Sequence, residues 1–138
     1  MSARTKARKR ALDLLYASEL RRESAVEALE RAVAEGEGPT NAYTGVLVRG
    51  VEERRERIDE VIASYAEGWT LSRMPAVDRN VLRLGTWELL FADDVPDAVA
   101  VAEATSLAQD LSTDESPQFV NGVLGAILRN KSTLVEGA

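Results

Sequence analysis

Cysteine and histidine are absent from the 138 residues, and aromatic side chains make up only 5% of them. Without thiol or imidazole the chain can build no zinc finger, redox pair, Ser-His-Asp triad or imidazole base. Having no cysteine also means no disulfide, which suits a reducing cytoplasm. The Asp-x-Asp-x-Asp-Gly pattern of a calcium loop is missing, so neither a metal nor a cofactor is expected. No apolar run approaches the ~18 residues of a membrane span, and the basic N-terminus lacks the apolar core of a signal peptide. These absences point to a soluble cytoplasmic protein with no catalytic residues, not an enzyme.

What is present suits one globular domain, residues 1–138, at 45% hydrophobic and 29% charged. The net charge of −6 is unevenly placed. Residues 1–22 carry seven basic side chains and two acidic ones, whereas the other 116 carry ten basic and twenty-one acidic. A basic arm on an acidic body is a pattern for nucleic-acid contact, and the acidic body restricts that contact to a local patch.

All four prolines (Pro39, Pro75, Pro96, Pro117) fall between apolar-periodic segments, where a fixed φ suits a helix start. Ser24 and Glu27 form a capping-box pattern, and Ser116-Pro117 reads as an N-cap followed by proline at N1. No segment sustains the two-residue alternation of a strand. The chain is therefore read as all-α, with helices near 4–22, 24–35, 41–66, 76–92, 97–111 and 117–130 forming two small bundles packed into one domain. An extra turn is expected at Thr70–Met74. In the long third helix, Tyr43, Val46, Leu47, Gly50, Val51, Ile58, Val61, Ile62 and Tyr65 mark one core-facing stripe. Gly45, Gly50, Gly85, Gly122 and Gly125 interrupt helical patterns, which suggests close helix–helix approach.

Helix 1 combines two patterns. Ala7, Ala11, Leu12, Leu14, Leu15, Tyr16 and Ser18 share one arc, yet Arg4 and Arg8 project into it. Since a guanidinium cannot replace Leu in a core without a partner, the helix should change environment near residue 10. Residues 1–10 are then a basic, flexible or projecting arm. Arg4, Lys6, Arg8, Lys9 and Arg10 repel one another and oppose the helix dipole, and a bound polyanion would relieve both. A solvated basic tail accounts for the charge run equally well.

The C-terminal half carries more specific strings. Val77-Asp-Arg-Asn-Val-Leu-Arg-Leu-Gly-Thr-Trp-Glu-Leu-Leu90, Asp94-Val-Pro-Asp-Ala-Val-Ala-Val-Ala-Glu-Ala104 and Phe119-Val-Asn-Gly-Val-Leu124 resemble, in order and spacing, the NusB transcription antitermination family. Arg8-Lys-Arg-Ala-Leu-Asp-Leu-Leu-Tyr16 resembles that family's arginine-rich opening. Residues 23–70 match mainly in helical pattern. The resemblance implies a NusB-like helical fold that binds the boxA element of nascent ribosomal RNA. It also implies NusE, a ribosomal small-subunit protein, as partner, and a complex that joins RNA polymerase and suppresses premature termination. Some relatives self-associate through surfaces the partner would cover, so a homodimer is among the states it allows.

Carried onto this chain, the resemblance makes Arg4, Lys6, Arg8, Lys9 and Arg10 the RNA-backbone contacts. Tyr16 stands near the RNA path, and Phe119 and Asn121 open the last helix beside it, where ring and amide could stack on or read a base. Tyr16 and Phe119 also sit on apolar stripes, where core burial is the simpler reading. Lys6 and Lys9 replace arginines of some relatives and lack the bidentate fork. The implied partner face comprises Asp78, Arg79, Arg83 and Glu115, although Arg79 and Arg83 project where plain solvation would be expected. Glu88 and Glu103 project into apolar arcs, and structural pairing explains them better than catalysis. Two other readings stay open: an RNA-binding module related to the N-terminal domain of ribosomal RNA cytosine methyltransferases, and a purely structural helical adaptor.

Overall fold

The computed structural model describes residues 2–136; residues 1, 137 and 138 of the single-domain span lie outside them. The described residues are helical, with no strand among them. The elements are α1 (Ala3–Arg21), α2 (Ala25–Ala34), α3 (Ala42–Glu53), α4 (Arg55–Tyr65), a 3₁₀ turn (Leu71–Arg73), α5 (Ala76–Phe91), α6 (Asp97–Leu111), α7 (Ser116–Arg129) and α8 (Lys131–Glu136). They divide into two compact units, Met1–Glu53 and Arg54–Ala138.

In the N-terminal unit, α1 packs on α2 and α3, and α2 packs on α3. The Ser2 hydroxyl caps α1 by accepting from the Thr5 N–H at 3.0 Å. Arg22 ends the helix at φ 56°, and the Glu23 N–H returns to the Ser18 carbonyl. Ser24 caps α2 as its pattern predicts, accepting from the Glu27 N–H at 3.3 Å. A carboxylate from α3 completes that cap: Glu52 accepts from the Ser24 hydroxyl at 2.6 Å and the Val26 N–H at 3.2 Å. Arg31 holds Glu23 through two bonds of 2.9 and 2.7 Å, and this hydrogen bonding lowers the Glu23 carboxyl below its ordinary value. The small stabilisation from this exposed pair is present above the ordinary carboxyl pKa and fades as pH falls through the lowered one.

Three expectations about residues 1–66 are corrected. The first two turns of α1 neither project beyond the core nor lack structure: Ala7 is 2% exposed and Arg8 4%. The third helix is two helices. From Glu52 to Arg57 the sequence is entirely charged, so no apolar side chain locks that stretch, and Arg54 leaves helical geometry at φ −107°, ψ 16°. The Arg54 guanidinium lies 4.6 Å from the Phe91 ring centroid instead. Val46, expected on the buried stripe, is exposed, while Leu47, Val48 and Val51 are fully buried.

In the C-terminal unit α5 is the central element, in contact with α4, α6, α7 and α8. Its buried residues include Val81, Leu82, Gly85 and Leu89, and α7 contributes Val120, Leu124 and Ile127. The close approach expected at glycines is real at Gly85, where a Cβ would sit 2.7 Å from Leu124 Cδ1 and 3.2 Å from Ala104 Cβ. At Gly45 the same atom would meet only ordinary contact, and at Gly122 nothing within 4 Å. Gly85→Ala should therefore lower stability by about 1–3 kcal/mol despite alanine's better helix propensity, a shift readable by urea denaturation. Gly122→Ala, with no clash, should raise it slightly.

Candidate nucleic-acid interface

The cations of α1 fall into two groups. Arg4 and Arg8 turn toward α3, where their guanidinium carbons lie 4.0 and 5.7 Å from the Tyr43 ring centroid. The Thr44 hydroxyl donates to the Ala7 carbonyl at 2.9 Å, fixing the same turn of α1 against α3. Tyr43 is oriented in turn by its N–H, which donates to the Asn41 side chain at 2.8 Å. The aromatic face helps Arg8 tolerate burial: its stem packs while its charge lies near a π surface. Lys6 and Lys9 are exposed, and half-buried Arg10 donates to the Glu37 carbonyl at 3.1 Å. Tyr16 is 36% exposed, so core burial does not account for it.

Sequence reasoning placed Tyr43 in the core stripe and missed its role as the platform for two arginines. The available signal was that Arg4 and Arg8 needed a partner, with an aromatic at the start of a facing helix able to supply one.

Phe119 and Asn121 lie in the C-terminal unit, on the first turns of α7. Phe119 is half-buried and meets Trp69 edge to face, with centroids 6.0 Å apart at an interplanar angle of 61°. Trp69 is 51% exposed and Asn121 is exposed. Trp69 is the second residue the sequence reading passed over; a tryptophan following Gly68, outside any apolar period, was its signal.

The four partner-face residues are placed unequally. Asp78 is 3% exposed, accepting from the Ser112 hydroxyl at 2.6 Å and the Ser116 hydroxyl at 3.0 Å. Ser116 thus fastens the start of α7 to α5 rather than serving as the expected N-cap, a position taken by Glu115. Arg79 donates to the carbonyls of Leu71 and Met74 at 2.7 and 3.0 Å, which anchors the 3₁₀ turn. Arg83, 6% exposed, makes a two-bonded pair with Asp59 at 2.8 and 3.0 Å and donates to Asn80. Plain solvation is therefore the wrong expectation for Arg79 and Arg83, because each has acceptors within its own unit. Only Glu115 of the four is exposed.

Glu88 is buried and Glu103 half-buried, and both are engaged by neighbouring groups. Among the described residues no group of three or more acidic side chains is arranged to hold a metal ion, and no helix is long and apolar enough to cross a membrane.

Comparison with known proteins bears on both units. A model of the NusB family matches residues 5–129. The transcription antitermination protein NusB of a Nocardioides strain is 73% identical over 134 residues, covering 97% of this chain and 99% of the relative. That of Thermobifida fusca is 53% identical, covering 96% and 93%. Among solved structures, NusB of T. maritima superposes with a TM-score of 0.85 at 36% identity, covering 98% of each chain. A chain from a crystal structure of the antitermination factors NusB and NusE in complex with dsRNA gives 0.79 at 30% identity, covering 91% of this chain and 96% of the other. The sequence strings, the all-helical fold and these relatives agree: the chain belongs to the NusB family of transcription antitermination proteins, which are not enzymes.

Proposed function

We propose that this chain binds the boxA element of nascent ribosomal RNA jointly with NusE, and that the assembly joins RNA polymerase to suppress premature termination. A nascent transcript as ligand makes the cytoplasm its setting. The observation that carries the reading is the cationic start of α1: Lys6 and Lys9 are exposed, and half-buried Arg4 is ordered on the Tyr43 ring. Ordered cations lose less conformational entropy on meeting phosphate than a disordered tail would. The relative crystallised with NusE and RNA supports the choice of partners. Of the partner face, Glu115 is the residue a protein could touch directly, while Asp78 holds the start of α7 beside it, Arg79 anchors the 3₁₀ turn and Arg83 ties α5 to α4.

Titrating boxA RNA and a scrambled RNA, each with and without NusE, tests the reading. Tighter binding to boxA is expected, and NusE must strengthen RNA binding by the same factor that RNA strengthens NusE binding. Equal affinity for both RNAs in the presence of NusE would refute it. Two to four reachable cations (Lys6, Lys9, Arg4, Arg10) give a log–log salt slope of about −1.4 to −2.8 on single-stranded RNA. The double substitution Lys6→Gln, Lys9→Gln should reduce its magnitude by about 1.4 without altering the melting curve.

A further inference from the structure

We propose that a groove between the segment Tyr65–Trp69 and α7 is a base-stacking subsite for single-stranded RNA, with Trp69 as a wall that the carried-over contacts do not include. The groove has a volume of about 420 Å³, within the range of sites that enclose small planar ligands. Trp69 and Phe119 are among its lining residues, and Gly122, Ala126 and Arg129 follow Phe119 turn by turn along α7, which makes that helix the floor. Three features of this groove suit a nucleobase. An edge-to-face pair engages only one face of one ring, so the Trp69–Phe119 pair keeps aromatic surface for a further planar group. The floor is open, because nothing lies within 4 Å of where a Gly122 Cβ would be. Arg129 supplies a cation for the phosphate attached to a stacked base.

Charge selects this side of Phe119 over the other. The neighbouring hollow, also lined by Trp69 and Phe119, carries Asp78 and Glu115, two carboxylates that would repel a phosphate. The groove over Gly122 has Glu67 in its lining, but Arg129 offsets that charge. An unpaired base therefore stacks at Trp69 with its phosphate directed toward Arg129. Stacking tolerates any base, so this subsite adds affinity and register rather than sequence choice.

The proposal rests on the RNA-binding reading, and the test separates the two. Binding of boxA RNA in the presence of NusE is measured for the unaltered chain, Trp69→Ala and Gly122→Leu. Loss of one base stack lowers affinity by about 5- to 150-fold, and about tenfold is expected for Trp69→Ala, since Phe119 remains. Gly122→Leu fills the groove from the floor and should weaken RNA binding similarly, while its melting temperature stays level or rises because the site is open and leucine favours helix. Trp69→Ala should leave the salt slope nearly unchanged, in contrast to the lysine substitutions. If the unaltered chain binds RNA and both variants bind it equally well, the subsite is refuted and the RNA-binding reading stands. If both variants lose affinity for NusE alone while keeping RNA affinity, the groove takes protein and the proposal falls. If the unaltered chain binds no RNA, both fall together.

Discussion

Deleting residues 1–10 should unfold the N-terminal unit, not merely remove an RNA contact. The deletion takes away the Ser2 cap and the buried Ala7 and Arg8. It also strips Thr44, 1% exposed, of the Ala7 carbonyl that its hydroxyl donates to. A buried hydroxyl without an acceptor costs about 1–3 kcal/mol. Loss of both guanidinium groups from Tyr43 adds roughly 0.5–2 kcal/mol for each contact. A unit of this size rarely holds a margin above about 3–5 kcal/mol, so the sum is enough to open it. Circular dichroism should show a helical loss larger than the eight residues of α1 that are deleted, and amide exchange should show α2 and α3 unprotected. A truncated protein with the helical signal of residues 11–53 intact would contradict this. One consequence concerns the proposed function. Reduced RNA affinity after truncation would not by itself identify phosphate contacts, whereas substitutions at exposed Lys6 and Lys9 would.

The error behind the flexible-arm expectation has a physical source. Arg4 and Arg8 were correctly placed on the apolar arc of helix 1, but the partner that makes them tolerable lies in α3, about 35 residues away in sequence. Local periodicity cannot report such a pairing. The same limit explains Arg83, which projects off the apolar stripe yet is buried because Asp59 of α4 meets it. Features decided within one turn were legible: the Ser24 cap, the helix starts after Pro75 and Pro96, the turn at Leu71–Arg73, and the all-helical composition. The break at Arg54 was less so, because charged residues are good helix formers and their lack of packing emerges only in three dimensions. Helix α8 was missed because Lys131–Glu136 is too short to display a period. For the candidate site, the sequence strings brought out Phe119 and Asn121, but Trp69 needed the fold to set it beside Phe119.

Arg83→Ala is expected to be among the most destabilising single substitutions in the C-terminal unit. The Arg83 side chain is 7% exposed and Asp59 is 30% exposed, so the pair is largely but not wholly removed from water. Breaking a fully buried pair from one side costs about 3–5 kcal/mol, and solvent access to Asp59 brings the expectation down to about 2–3 kcal/mol. Arg55 compensates only in part, since its Nε stands 3.7 Å from Asp59 and its side chain is 37% exposed. Asn80 also loses a donor at 3.2 Å, while its own amide stays tied to the Ala76 carbonyl. Arg83→Lys should recover only part of the loss, because an ammonium cannot reproduce the two parallel bonds to Asp59. The double variant Arg83→Met, Asp59→Leu should recover most of it, because removing both charges leaves neither one unpaired. Urea denaturation of the unaltered chain and these three variants measures the differences, and NusE titration of the folded fraction assigns the role. Lost stability with preserved NusE affinity makes Arg83 a tie between α5 and α4 and not a partner contact. Full stability in Arg83→Ala with NusE binding abolished would make it a direct contact, reached only if Asp59 releases it on binding.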